Sequence, residues 1–104
     1  VTGLAPDLRW PNDVLLSGRK CAGILVQLHD SALIAGIGIN VNHTSFPVEL
    51  SSLATSLRIE AGRPYDRETL VKQLIGSIDD SLENLLSNGR EPILRAFTAA
   101  SYAK

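Results

Sequence analysis

Lys20, Asp13, Asn40 and Asn42 are the residues of this 104-residue sequence whose types could do chemistry together. A lysine supplies a cation, an aspartate an anion, and two asparagines supply amide donors and acceptors. Each lies at the end of one of three successive apolar runs, so strand pairing would gather them into one pocket. Arg9-Trp10-Pro11-Asn12-Asp13 leads into the first run, Gly18-Arg19-Lys20 opens the second, and Gly36-Ile37-Gly38-Ile39-Asn40-Val41-Asn42 ends the third. Taken singly, these residues have ordinary readings. Asn12 and Asp13 are turn formers, Trp10 is a core aromatic, and a lysine at a strand start is usually solvated. Gly36 and Gly38 are costly inside a strand, so they mark either a bulge with tight packing or backbone left bare for a ligand.

Other chemistries are excluded by spacing. A dinucleotide fingerprint needs a third glycine where Val41 stands, followed by a helix. No Gly-Lys-Ser/Thr phosphate loop and no G-x-S-x-G nucleophile turn occurs in the sequence. His29 and His43 lack partners at metal-ligand spacing, so no metal residue is assigned. Cys21, the single cysteine, sits among apolar residues and reads as a small buried thiol.

The elements that must position the pocket follow from punctuation and period. Pro6 and Pro11 forbid a continuous helix at the start. Val14–Leu16, Arg19–Leu28 and Ala32–Val41 read as strands, with turns at Ser17-Gly18 and His29-Asp30-Ser31, giving a β-meander. The runs are nearly continuous in apolar residues, which predicts a sheet covered on both faces. Residues 43–65 read as loop with one short helical turn. From Asp66 the period changes, with Leu70, Leu74, Ile78 and Leu82 four apart. That stripe predicts an amphipathic helix capped by Asp66 and ended by Gly89. Pro92, Ile93, Leu94 and Phe97 predict a second, shorter helix. The fold class expected is α+β, a largely antiparallel mixed sheet packed by C-terminal amphipathic helices.

Composition bounds the reading further. Ten Lys plus Arg against 11 Asp plus Glu give a net charge of −1, which offers no electrostatic footprint for nucleic acid. Between Ser31 and Leu57 the only charged residue is Glu49, whereas Arg58–Lys104 carries seven of each sign, as a buried sheet followed by solvated helices would. No stretch approaches the ~20 apolar residues of a membrane span, so a cytoplasmic location is expected. The sequence begins at Val1 and contains no Met, which points to a processed start or a piece of a longer protein.

In order and spacing, Arg9-Trp10-Pro11-Asn12-Asp13, Gly18-Arg19-Lys20-Cys21-Ala22-Gly23-Ile24-Leu25 and Gly36–Asn42 resemble the catalytic domain of biotin protein ligases, of the class II synthetase and biotin–lipoate ligase type. Arg9 replaces the family's usual lysine. Phe46–Leu50 and Ala54-Thr55-Ser56-Leu57 also resemble family segments. The resemblance implies a ligase that activates biotin with ATP as biotinyl-5′-adenylate, with Mg²⁺, and then transfers biotin to a lysine of a biotin carboxyl carrier domain. It implies that Lys20 is catalytic, with Asp13 beside it, and that Lys20, Gly23, Leu25, Gly36 and Ile39 contact biotin. Asn40, Lys20, Asn12 and Trp10 would serve the ATP or adenylate part, Trp10 and Asn12 as supports. Strict alternation puts Lys20 and Leu25 on opposite faces of one strand, so either a β-bulge lies between them or this mapping is in error.

The family's Gly-Arg-Gly-Arg-type loop and its small C-terminal β-barrel are absent from this sequence. Residues 1–104 are therefore expected to form part of a catalytic domain, inactive by itself. Two rival readings stand beside this one. A lipoate or octanoate protein ligase or transferase shares the fold, and a non-catalytic fragment could serve dimerisation or regulation by pairing through sheet edges. A role on DNA would require a separate N-terminal DNA-binding domain.

Overall fold

The computed structural model describes residues 2–100. Four strands, β1 (Asp7–Arg9), β2 (Asp13–Leu16), β3 (Arg19–His29) and β4 (Ala32–Ile39), form one sheet in the order β1-β2-β3-β4. All three strand pairs are antiparallel. The expected meander is therefore present, and the mixed character reduces to one isolated parallel bridge between Lys20 and Ala54. Short connections produce the meander. Ser17 and Gly18 both take positive φ (52° and 77°), the pattern of a two-residue type I′ hairpin turn, whose twist matches the flanking strands. Asp30, at φ 54°, turns β3 into β4.

Three helices follow: α1 (Leu57–Ala61), α2 (Arg67–Asn88) and α3 (Glu91–Ala100). Ser56 caps α1, its hydroxyl accepting from the Ile59 N–H at 3.1 Å and donating to the His43 carbonyl at 2.6 Å. Asp66 caps α2 through the Thr69 N–H, and Gly89 follows its last residue, as the sequence pattern predicts. The tail from Ser101 lies outside the described residues.

The core sits where one end of the sheet meets α1 and the first turn of α2. Leu16, Cys21, Val41, Leu57 and Leu70 form it, with Leu4, Ile39 and Tyr65 packed alongside. An apolar cavity of about 370 Å³ continues this contact between the sheet and α2, lined among others by Val14, Ile24, Ile37, Ile39, Leu74 and Ile78. The expectation that both faces of the sheet are covered is not met within residues 2–100. Leu25 and Ile34 stand 59% and 53% exposed on the face away from α2, and Leu28 and Leu33 at the hairpin tip are barer still. The apolar runs thus reflect more surface than this chain's own elements cover.

Candidate functional site

The uncovered face of the sheet carries an open cleft of about 400 Å³, lined by Asn12, Asp13, Lys20, Gly23, Ile24, Leu25, Gly36 and Gly38. What brings Lys20 onto this face is an irregularity in the β2–β3 ladder. Asp13 and Val14 face Gly23 and Ala22, but Leu15 faces Lys20, so Cys21 is the extra residue. An extra residue reverses the alternation beyond it. Lys20 consequently shares a face with Gly23 and Leu25, while Cys21, 3% exposed, turns into the core. This is the bulge that the Lys20–Leu25 assignment requires.

Within the cleft the Lys20 ammonium lies 3.2 Å from an Asp13 carboxylate oxygen. Lys20 is half exposed and Asp13 about a third exposed, so the pair is wet and offers its charge to an incoming group. The lysine stem lies across Gly23. A Cβ at that position would stand 3.2 Å from both Lys20 Cε and Nζ, tighter than ordinary contact, so the absence of a side chain there leaves the lysine its place. Gly23 faces Gly38 across the β3–β4 ladder, and Leu25 faces Gly36.

Gly36 and Gly38 are glycines for a different reason. A Cβ at Gly38 would meet nothing within 4 Å, and one at Gly36 would meet only the Leu25 carbonyl at 3.8 Å. Neither takes a positive φ. The chain's own packing does not demand glycine at either place, which removes the bulge and tight-packing reading. What the two glycines provide is a floor of bare backbone beside the ammonium, with Leu25 as an exposed apolar wall.

Asn12 belongs to the cleft through its backbone and its amide. Its carbonyl accepts from the Ile24 N–H at 2.9 Å. With its amide turned to donate, the side chain reaches the Ile24 and Pro11 carbonyls at 3.3 and 3.2 Å. Asn40 directly follows β4 and is not among the residues that line the cleft. Its amide donates to the Thr55 carbonyl at 3.2 Å, and its backbone N–H and C=O join Cys21 and Leu57. Asn42 instead braces the loop before α2, exchanging hydrogen bonds with the Tyr65 backbone at 2.8 and 2.9 Å.

Two further residues singled out in the sequence lie outside the cleft lining. Ile39 pairs with Ala22 and lines the cavity beneath α2, on the face opposite Gly36, because an odd spacing along one strand cannot share a face. Trp10 is 74% exposed and packs edge-on against Phe97 of α3, with ring centroids 5.8 Å apart at 90°. It supports the hairpin against a helix and lines no part of the cleft. Cys21 is buried, and desolvation, aided by the nearby Glu60 charge, pushes its thiol pKa up. That is the setting of an inert thiol.

One group was missed by reasoning from sequence. Glu60 on α1 accepts from the Thr55 hydroxyl at 2.6 Å and from Arg19 at 3.0 Å. Hydrogen bonds from the Ser17 and Thr55 hydroxyls, with Arg19 adding to them, hold its carboxyl below the usual value despite partial burial. Glu60 lies 40 residues beyond Lys20 in the charge-rich part of the chain, and only the neighbouring Ala54–Leu57 segment carried a signal.

No family model matches the chain. Over 98 residues, 88% of the chain, it is 36% identical to the bifunctional ligase/repressor BirA of Bacillus subtilis, of which the match covers 30%. Over 72 residues, 69% of the chain, it is 38% identical to the biotin–[acetyl-CoA-carboxylase] ligase of Mycobacterium tuberculosis, of which the match covers 26%. The fold superposes on the biotin protein ligase of Aquifex aeolicus in complex with biotin and ATP with a TM-score of 0.89 and 30% identity. That superposition takes in 97% of this chain and 44% of the Aquifex chain. The chain thus spans less than half the length of each of these relatives.

Proposed function

From this kinship with biotin protein ligases, we propose that the chain forms the lysine-bearing part of a site that adenylates biotin and passes it to a carrier lysine. It corresponds to part of a catalytic domain, and residues outside the sequence complete the site. The single observation that carries the reading is the placement of the Lys20 ammonium over a glycine-lined floor on the open sheet face.

In this reading a biotin carboxylate oxygen attacks the α-phosphorus of ATP, and pyrophosphate leaves as the bond to the β-phosphate breaks. Two anions must meet while charge builds between them, and the Lys20 ammonium offsets that repulsion in the transition state. Asp13, 3.2 Å from the ammonium, holds it over the floor. Gly36 and Gly38 let the ligand lie on the backbone, and Leu25 supplies the apolar wall. Asn40 faces the nucleotide end, and Asn12 fixes the edge of the cleft. Ile39 and Trp10 serve the fold. The acceptor's neutral amine then attacks the adenylate carbonyl, loses its proton, and AMP leaves.

A Mg²⁺ ion arriving with ATP would find one carboxylate at the cleft, Asp13, and the described residues gather no group of three metal-ligating side chains. Phosphate and water would supply most of its coordination, the usual habit of Mg²⁺ at nucleotide sites. No helix among the described residues is long and apolar enough to cross a membrane. The acceptor is a biotin carboxyl carrier domain, the partner class that the ligase relatives imply.

Titrating the chain with a non-hydrolysable biotinyl-adenylate analogue, against the lipoyl counterpart, tests the reading. Binding of the biotinyl analogue at least tenfold tighter supports it, and preference for the lipoyl compound refutes it. With an acceptor domain, biotin and ATP, the isolated chain is expected to give no turnover, because its sequence holds no Gly-Arg-Gly-Arg loop to close over the phosphate.

A further inference from the structure

Lys20 occupies a weak place in the sheet. β4, which pairs the rest of β3, ends with Ile39 opposite Ala22, and the β2–β3 ladder shifts register at this point. A loop takes over from β4. The Lys20 N–H donates to the Leu53 carbonyl at 2.8 Å, and the Thr55 N–H donates to the Lys20 carbonyl at 2.9 Å. This segment has no sheet of its own to hold it, and two hydrogen bonds would let the strand start fray.

We infer that Glu60 is the positioning residue that fixes Lys20, and with it Asn40, for the adenylation proposed above, on which the catalytic part of this inference rests. One carboxylate oxygen of Glu60 accepts from the Thr55 hydroxyl at 2.6 Å and from the Arg19 guanidinium at 3.0 Å. Arg19 is the residue before Lys20 in the chain, and Thr55, next to the bridge partner Ala54, donates its N–H to the Lys20 carbonyl. A single acceptor therefore clamps the strand to the loop on either side of the lysine. The same Thr55 accepts the Asn40 amide through its carbonyl at 3.2 Å, so the clamp also reaches Asn40. The Glu60 side chain is 11% exposed, and charge-assisted bonds in such a setting are shorter and stronger than neutral ones. Glu60 touches neither Lys20 Nζ nor the cleft, and it acts through Arg19 and Thr55.

A residue that merely stabilises the fold protects all amides alike, whereas a clamp protects those beside it. Amide hydrogen exchange in the 104-residue chain separates the two. In Glu60→Ala the Lys20 and Thr55 amides are expected to exchange at least tenfold faster while the β3–β4 ladder stays within twofold of wild type. Glu60→Gln, which keeps an acceptor, returns both amides to within threefold of wild type. Thr55→Val deletes only the hydroxyl given to Glu60 and loosens the same two amides, which keeps the test sound should Glu60→Ala fail to fold. Unchanged protection at Lys20 and Thr55, or a uniform acceleration across the sheet, overturns the inference.

The second reading is affinity for the non-hydrolysable biotinyl-adenylate analogue, expected at least tenfold weaker in Glu60→Ala and within threefold of wild type in Glu60→Gln. Equal affinity in Glu60→Ala overturns the positioning role. A wild-type chain that prefers the lipoyl counterpart overturns the biotin reading instead, and exchange at the two amides still decides whether Glu60 clamps them.

Discussion

Replacing Lys20 by alanine separates a functional lysine from a structural one. Its ion pair with Asp13 spans 3.2 Å but is open to water, with the two side chains 51% and 29% exposed. Pairs in that setting contribute about 0.2–1 kcal/mol after solvent screening and side-chain entropy. Lys20→Ala should therefore lower the melting temperature by no more than roughly 4–8 °C, the shift that ~1 kcal/mol produces in a domain of this size. The loss in ligand binding should be larger. A hydrogen bond to a charged group contributes about 1.5–3 kcal/mol, which corresponds to roughly 10- to 150-fold in affinity for an adenylate analogue. Calorimetric titration with that analogue, alongside a thermal melt of each protein, measures both quantities. Unchanged affinity in Lys20→Ala refutes the role of the ammonium. A destabilisation well above ~1 kcal/mol, out of reach of an exposed pair, refutes the claim that the pair exists for the ligand rather than the fold.

Gly23→Ala places a methyl group 3.2 Å from Lys20 Cε and Nζ, so it should shift the ammonium and weaken analogue binding several-fold with little change in melting temperature. Gly38→Ala meets nothing in the free protein and should fold normally, and it should bind the analogue more weakly only if the ligand lies on that floor. The Glu60 carboxyl has its pKa lowered from 4.5 in the folded chain, so its stabilising contribution is full above that value and is lost as pH falls through the lowered one. Urea melts from pH 7 down to pH 3 should show the loss, and Glu60→Gln should flatten that acid limb relative to wild type. Cys21 should resist iodoacetamide in the native chain and react readily once unfolded, because burial raises its thiol pKa and blocks access.

The parts of the fold written in local signals were legible in the sequence. Ser17-Gly18 marked a hairpin because glycine readily takes the positive φ that a tight turn demands, and Asp66 and Gly89 bracketed α2 because capping chemistry is local. The bulge at Cys21 was legible only as a contradiction, since the Lys20 and Leu25 assignments could not both hold on a regular strand. Ile39 leaves the face that Gly36 and Gly38 share because it sits at an odd spacing from Gly36 along β4. The coverage of the sheet was misjudged because apolar runs report what a strand is suited to bury. They do not report which element buries it. Glu60 was invisible because its role depends on a tertiary meeting of α1, the β2–β3 turn and a loop, and no spacing along the chain encodes that meeting.

The ligand is expected on the Lys20 face of the sheet, and backbone amide shifts of the 104-residue chain on addition of the biotinyl-adenylate analogue read this directly. Saturable shifts at Asp13, Lys20, Gly23, Leu25, Gly36 and Gly38, with Leu74 and Ile78 of α2 unmoved, are the predicted result. Shifts confined to the α2 side, or none at saturating analogue, would contradict it.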